Sequence, residues 1–113
     1  MNINSYTKDE VVVLEPVGKL MIGRGVRELD EKLSALLEEG QKDVIIDMQK
    51  TAWFGSAVIS TLIDHHAKFA EIGGIIKLAN LTEEVQKIIT VTRLITIFEV
   101  HDSLQAALDS FKK

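Results

Sequence analysis

The chain is 113 residues long, close to the commonest size of one folded domain, and its 46% hydrophobic and 27% charged residues suit a packed core and not a disordered segment. Seventeen Asp+Glu against 13 Lys+Arg leave a net charge of −4, so the chain has no net positive field to steer it onto polyphosphate, and nucleic acid is not an expected ligand. With no cysteine, disulfides, thiolate metal sites and cysteine nucleophiles are excluded. The opening Met1-Asn2-Ile3-Asn4-Ser5 has no basic segment followed by an apolar run. No apolar stretch nears the roughly 18–20 residues that span a bilayer. A cytoplasmic location without membrane insertion is the expectation.

In chain order, a short strand from Ile3 to Thr7 is expected first, then a hairpin turn at Lys8-Asp9-Glu10. The β-branched run from Val11 to Leu20 predicts a longer strand, and Pro16 within it marks an edge, a bulge or an unpaired position, because proline has no N–H to donate. Gly23-Arg24-Gly25 reads as a flexible joint. Val26, Leu29, Leu33, Leu36 and Leu37 recur at helical spacing up to a stop at Gly40. Val44 to Met48 is a short apolar run bounded by polar residues, the pattern of a buried central strand. Lys50 to Gly55 is read as a turn.

From Ser56 a second amphipathic helix is expected, with Ile59, Leu62, Ile63, His66, Phe69 and Ala70 inward, ending at Gly73-Gly74. Ile75 to Ala79 is the next strand. Thr82 caps a third helix whose first turn holds Glu83 and Glu84, acids suited to the positive end of the helix dipole, with Val85, Ile88 and Ile89 inward. Ile95 to Phe98 reads as a short edge strand. Asp102-Ser103-Leu104-Gln105 fits a capping box opening the last helix, with Leu104, Ala107, Leu108 and Phe111 inward. The alternation predicts a single α/β domain over residues 1–113, a mixed and mostly parallel sheet of about four to five strands with about four helices. In such sheets partners meet the loops at the C-terminal strand ends, here those from Asp47 to Ser56 and from Ala79 to Thr82.

Ser56 is the foremost chemical candidate. It follows Gly55 on a strand-to-helix connection, where unpaired amide groups and the helix dipole favour negative charge, so a phosphate on its hydroxyl would be well placed. Its plainer reading is an ordinary N-cap. His65 and His66 are adjacent on a helix and point about 100° apart, so they do not form the chelating pair that i, i+4 spacing provides; no metal is expected, with His65 on the surface and His66 partly buried. Phe54-Gly55-Ser56-Ala57-Val58 is not G-x-S-x-G, and no enzyme activity and no cofactor are expected. Of the adjacent aromatics Trp53 and Phe54, one is expected to cap the core and the other to be available to a partner. Gly18, Gly73 and Gly74 read as turn residues, and Arg24 and Arg27 as solvated charges.

These residues resemble a known pattern. Asp47 ending the central strand, Gly55-Ser56-Ala57-Val58 at the start of a helix, Ile72-Gly73-Gly74 after it, Leu81 to Ile89 followed by Leu94 and Ile97-Phe98, and Val17-Gly18-Lys19-Leu20 before the first helix are similar to STAS domains. The resemblance is specifically to bacterial anti-sigma factor antagonists and covers nearly the whole chain. It implies a regulatory module that binds an anti-sigma factor which is also a serine kinase. Ser56 is then the phosphoryl acceptor, phosphorylation breaks the complex, and a phosphatase restores it. Gly23, Arg24, Trp53, Phe54, Gly55, Ser56, Ala57 and Val58 would form the partner-binding set. The chain departs from the family where an aspartate is replaced by Gly55, a glycine by Val58, and an acidic residue near Leu20 by Met21. Those departures motivate an alternative, a STAS adaptor that is never phosphorylated and serves a transporter or signalling assembly. A third class, a small-molecule or hydrolytic site at Ser56, requires a histidine or carboxylate against its hydroxyl.

Overall fold

The computed structural model describes residues 2–20 and 24–112. Strands β1 (Asn2–Lys8) and β2 (Val11–Leu20) form an antiparallel hairpin whose register pairs Lys8 with Val11 and Asn2 with Val17. Its two turn residues, Asp9 and Glu10, have φ of 53° and 68°, the left-handed pair that matches the twist of a tight hairpin. Helix α1 (Arg24–Glu38) follows, then β3 (Asp43–Asp47), β4 (Thr51–Phe54) and α2 (Ser56–Glu71). The chain continues through β5 (Ile75–Ala79), α3 (Glu83–Val91), a 3-10 turn (Leu94–Thr96), β6 (Glu99–His101) and α4 (Leu104–Ser110).

The sheet runs β1-β2-β3-β5-β6, and every pairing after the first hairpin is parallel. Strand β2 gives Val12–Leu14 to β3 and its last residues, from Gly18 to Leu20, to β4. Pro16 falls in the gap between these partners, where its missing N–H costs no ladder bond, and its carbonyl accepts from Thr51 Oγ1 at 2.9 Å.

Alternation along the strands divides the core in two. Val12, Leu14, Val44, Ile46, Ile76 and Leu78 pack with residues of α1, α2 and α3, among them Leu29, Leu33, Leu62, Phe69, Val85 and Ile89. The opposite face, with Val11, Val13, Ile45 and Ala79, is covered by Ala107 and Leu108 of α4. On that face Lys77 is buried beneath α4: its Nζ donates to Ser110 Oγ at 2.7 Å, pairs with Glu99 at 3.3 Å and lies 4.1 Å from the centre of the Phe111 ring.

Several expectations are corrected. The segment read as a turn contains β4, because Thr51 and the aromatics that follow find an open parallel partner in the end of β2. Arg24 and Gly25 belong to α1 and not to a joint, while Gly23 lies outside the described residues. The edge strand expected at Ile95 to Phe98 is replaced by the 3-10 turn. Arg93 enters it at φ 63°, and the N–H groups of Ile97 and Phe98 donate back to Leu94 O at 2.9 and 2.8 Å, which removes them from any ladder. The strand comes only afterwards, as β6. The last helix is capped by Ser103, whose Oγ accepts from Ala106 N at 3.0 Å. The reciprocal box is not formed, since Ala106 stands where its acceptor would be and Gln105 donates to Asp109 instead.

Candidate functional site

The two loops singled out from the sequence meet at the C-terminal ends of β3 and β5. Asp47 is buried, and its Oδ1 accepts from Gln49 N at 3.0 Å and from Asn80 Nδ2 at 3.2 Å. Met48 N donates to Ala79 O at 2.9 Å across the same junction. A second chain of bonds fixes β4: Thr51 Oγ1 donates to Pro16 O, and Thr82 Oγ1 donates to Thr51 O at 2.9 Å while accepting from Val85 N at 3.4 Å. Thr82 therefore caps α3 and also fastens it to β4. Partial burial first, and then the carboxylates of Asp47 and Glu15, push the Tyr6 phenol above its ordinary pKa of 10.0.

Strand β4 delivers the chain to α2. Phe54 is turned inward and almost fully buried, Gly55 is the N-cap with φ −101° and ψ −174°, and Ser56 is the first helical residue. The plainer reading of Ser56 as the cap is thus corrected: no side chain caps α2, and the exposed Ser56 hydroxyl is left free of that duty. Val58 N and Ile59 N donate to Gly55 O at 3.1 and 3.4 Å, while the amides of Ser56 and Ala57 lack an intrahelical acceptor, so negative charge on Ser56 gains about 0.3–1 kcal/mol from the helix dipole. The Trp53 ring lies over Gly55. A Cβ at residue 55 would stand 3.2 Å from Trp53 Cη2, and the indole keeps 38% exposure.

Of the eight residues expected to bind a partner, Trp53 and Ser56 are exposed, and Gly55 and Ala57 are half-buried. Phe54 and Val58 are core residues, a correction to their expected display. Val58 is buried because α2 is rotated from the expected phase: Val58, Leu62, His65 and Phe69 face inward, while Ile63 is 41% exposed and Ala70 is exposed. Arg24 opens α1, and Gly23 lies outside the described residues.

The histidines are engaged away from Ser56. His65, expected at the surface, is fully buried, with Nε2 2.7 Å from Asp30 Oδ1 of α1. His66 is half-buried, its ring 5.0 Å from that of Phe98, and His101 lies 2.7 Å from Glu99. None of the three is held against the serine hydroxyl as a base. Sequence reasoning missed Asn80, Thr51 and the bond from Thr82 to Thr51 as the residues that set the platform. The run from Thr51 to Phe54, half of it aromatic, was the available signal for β4.

A family model described as the STAS domain matches residues 2–107. The chain belongs to the STAS domain family. A relative from Bordetella bronchiseptica, BtrV, named as a candidate anti-sigma factor antagonist, is 24% identical over 85 residues, covering 75% of this chain and 73% of its own. A structure from Thermotoga maritima, also named as a candidate anti-sigma factor antagonist, superposes with a TM-score of 0.90 at 18% identity, over 98% of this chain and 95% of that one. The phosphorylated form of SpoIIAA, a cell fate determinant of Bacillus, gives 0.77 at 16% identity, over 98% and 100%. In the described part of this STAS domain no helix is long and apolar enough to cross a membrane.

Proposed function

We propose that this STAS domain acts as an anti-sigma factor antagonist in the cytoplasm, binding an anti-sigma factor that is also a serine kinase and being switched by phosphorylation of Ser56. One observation carries the reading: an exposed hydroxyl at the first residue of α2, where no side chain caps the helix. The kinase would transfer the γ-phosphoryl of ATP to Ser56 Oγ, with ADP leaving and the hydroxyl proton passing to the kinase. Phosphoserine carries about −1.5 to −2 charges at neutral pH. In the free domain water and the helix dipole stabilise that charge, whereas in a closed interface it loses its water. A difference of only about 1.4 kcal/mol weakens the complex tenfold. A phosphatase would reverse the step. The reading is supported by the family and by the named relative.

The test is incubation with the anti-sigma factor serine kinase proposed as its partner, plus magnesium and ATP, followed by intact mass. Wild type should gain one phosphoryl group and Ser56→Ala none; a wild-type mass that never changes overturns the switch. Ser56→Asp should weaken the complex, and unchanged affinity contradicts the electrostatic account. Gly55 and Val58, which depart from the family pattern, favour a second reading as an adaptor that is never phosphorylated in a transporter or signalling assembly. Stable association with a membrane subunit and no phosphorylation would select it.

A further inference from the structure

The stretch of chain that carries Trp53 and Ser56 has no charge of its own, and the one charged neighbour that the ladder sets opposite Trp53 is Lys19 of β2. From Thr51 to Ile63 there is no Lys, Arg, Asp or Glu. The exposed members of that stretch are Ala52, Trp53, Ser56, Ser60 and Ile63. On α2, steps of 100° bring Ser56, Ser60 and Ile63 within about 60° of one another on the side opposite the core. Trp53 is the one large apolar group beside them at the start of the helix, and it is stationed by its neighbour: because residue 55 is glycine, the indole settles over the backbone at a distance no larger residue would allow without displacing it. A tryptophan that keeps 38% exposure, beside a helix start with no side-chain cap and on an uncharged stretch of chain, has the make-up of an interface anchor.

We infer that Trp53 is the specificity-determining anchor of this surface, and that the partner meets it with an apolar, uncharged pocket and not with a cationic one. The inference rests on the proposed kinase partner and deepens it. It also gives the switch its direction. A phosphate on Ser56 would bring charge into a contact to which the stretch from Thr51 to Ile63 supplies no cation, so it loses water without a partner from that stretch when the surfaces close. Gly55 is part of the same device. A side chain there displaces the ring by a few tenths of an ångström, and an aspartate adds charge to the patch as well.

The probe is the purified serine kinase that forms the complex with wild type in the preceding experiment, and binding is measured by calorimetry. Trp53→Ala should weaken the complex about tenfold or more, Trp53→Phe should restore most of it, and Gly55→Asp should weaken it with the thermal midpoint preserved. Wild-type affinity should change by less than about threefold between low and high salt, because the contact at its centre contains no ion pair. Trp53 is the only tryptophan, so a chain labelled with 5-fluorotryptophan gives one fluorine resonance, and that resonance should move when unlabelled kinase is added. A kinase that binds and phosphorylates Ser56 while Trp53→Ala binds equally well, or while the fluorine resonance stays fixed, overturns the inference and leaves the reading intact. Affinity that collapses at high salt overturns the uncharged pocket. A kinase that binds no form of the chain overturns both.

Discussion

Gly73 and Gly74 lie together after α2, yet the structure assigns them different constraints, and substituting each with alanine separates the two. Gly73 has φ +76°, and a Cβ built on it meets nothing within 4 Å, so its cost is purely conformational, about 1–2 kcal/mol for an L residue in the left-handed region. Gly74 has no such φ, but its Cβ would stand 2.7 Å from Lys42 O, 3.1 Å from Lys42 Cα and 3.2 Å from Phe69 O. All three are backbone atoms and cannot swing aside as a side chain would. Lys42 O already accepts from Ile75 N at 2.8 Å, and Phe69 O from Gly74 N at 2.7 Å, so making room disturbs both the close of α2 and the entry of β5. Overpacking of this kind costs about 1–3 kcal/mol, and we expect the top of that range for Gly74→Ala. For a chain of 113 residues each kcal/mol moves the thermal midpoint by about 4 °C, so the loss is about 12 °C for Gly74→Ala and about 4–8 °C for Gly73→Ala. Gly73→Asn should fall between wild type and Gly73→Ala, since asparagine tolerates the left-handed region. Thermal unfolding followed by circular dichroism reads all three. If Gly74→Ala is milder than Gly73→Ala, the close approach between α2, Lys42 and β5 is not what holds this corner.

Asp30 is half exposed, and a surface pair would be worth about 0–1 kcal/mol; its partner, however, is fully buried His65, whose Nδ1 has no hydrogen-bond partner. Asp30→Ala should therefore cost about 1–3 kcal/mol in urea unfolding, and a loss within error would show that His65 needs no partner. Thr82→Ala removes both the α3 cap and the bond to Thr51 O, and should cost about 1–2 kcal/mol, while Thr82→Ser retains most of the stability; equal losses in the two would place the effect in the methyl group. At Glu99 burial raises the carboxyl, but hydrogen bonds from His101 and Lys77 outweigh it and hold the pKa below its ordinary 4.5. A carboxyl depressed in the folded state contributes stability that is present above its unfolded pKa and lost as pH falls through the folded value. Urea midpoints measured from neutral pH down through that range should fall more steeply for wild type than for Glu99→Gln, and parallel curves would refute the assignment.

Where local chemistry acts alone, the sequence was readable. The hairpin turn, the buried runs of β3 and β5, the stripe of α1, and the Thr82 cap are each decided by neighbours within a few residues. What escaped depends on distant partners. Four residues from Thr51 to Phe54 carry too little periodicity to declare a strand, and β4 exists because β2 outruns β3 and leaves its final residues unpaired. Ile95 to Phe98 has the composition of a strand but is turned by hydrogen bonds back to Leu94, while Phe98 is buried against His66. The exposed serine at a helix start was visible in outline, but its freedom from capping duty was not, because that depends on Gly55 taking the cap position with an extended backbone.

The phase of α2 matters most for the site. The face expected from the sequence, centred among Ile59, Leu62, Ile63, His66, Phe69 and Ala70, lies about 70° around the helix from the observed one, Val58, Leu62, His65 and Phe69. In the expected phase Ser56 sits about 80° from the centre of the buried arc, at the border of the core. In the observed phase it sits about 150° away, on the outermost line of the helix. Two residues account for the difference. Val58 is apolar enough to be drawn in, and His65 can follow it because Asp30 on α1 meets its ring nitrogen. Ile63 is exposed as a consequence, and the hydroxyl of Ser56 turns outward with it. The valine that departs from the family pattern beside the serine is thus one of the residues that anchor the serine's display, and its β-branched side chain points into the core and away from any partner.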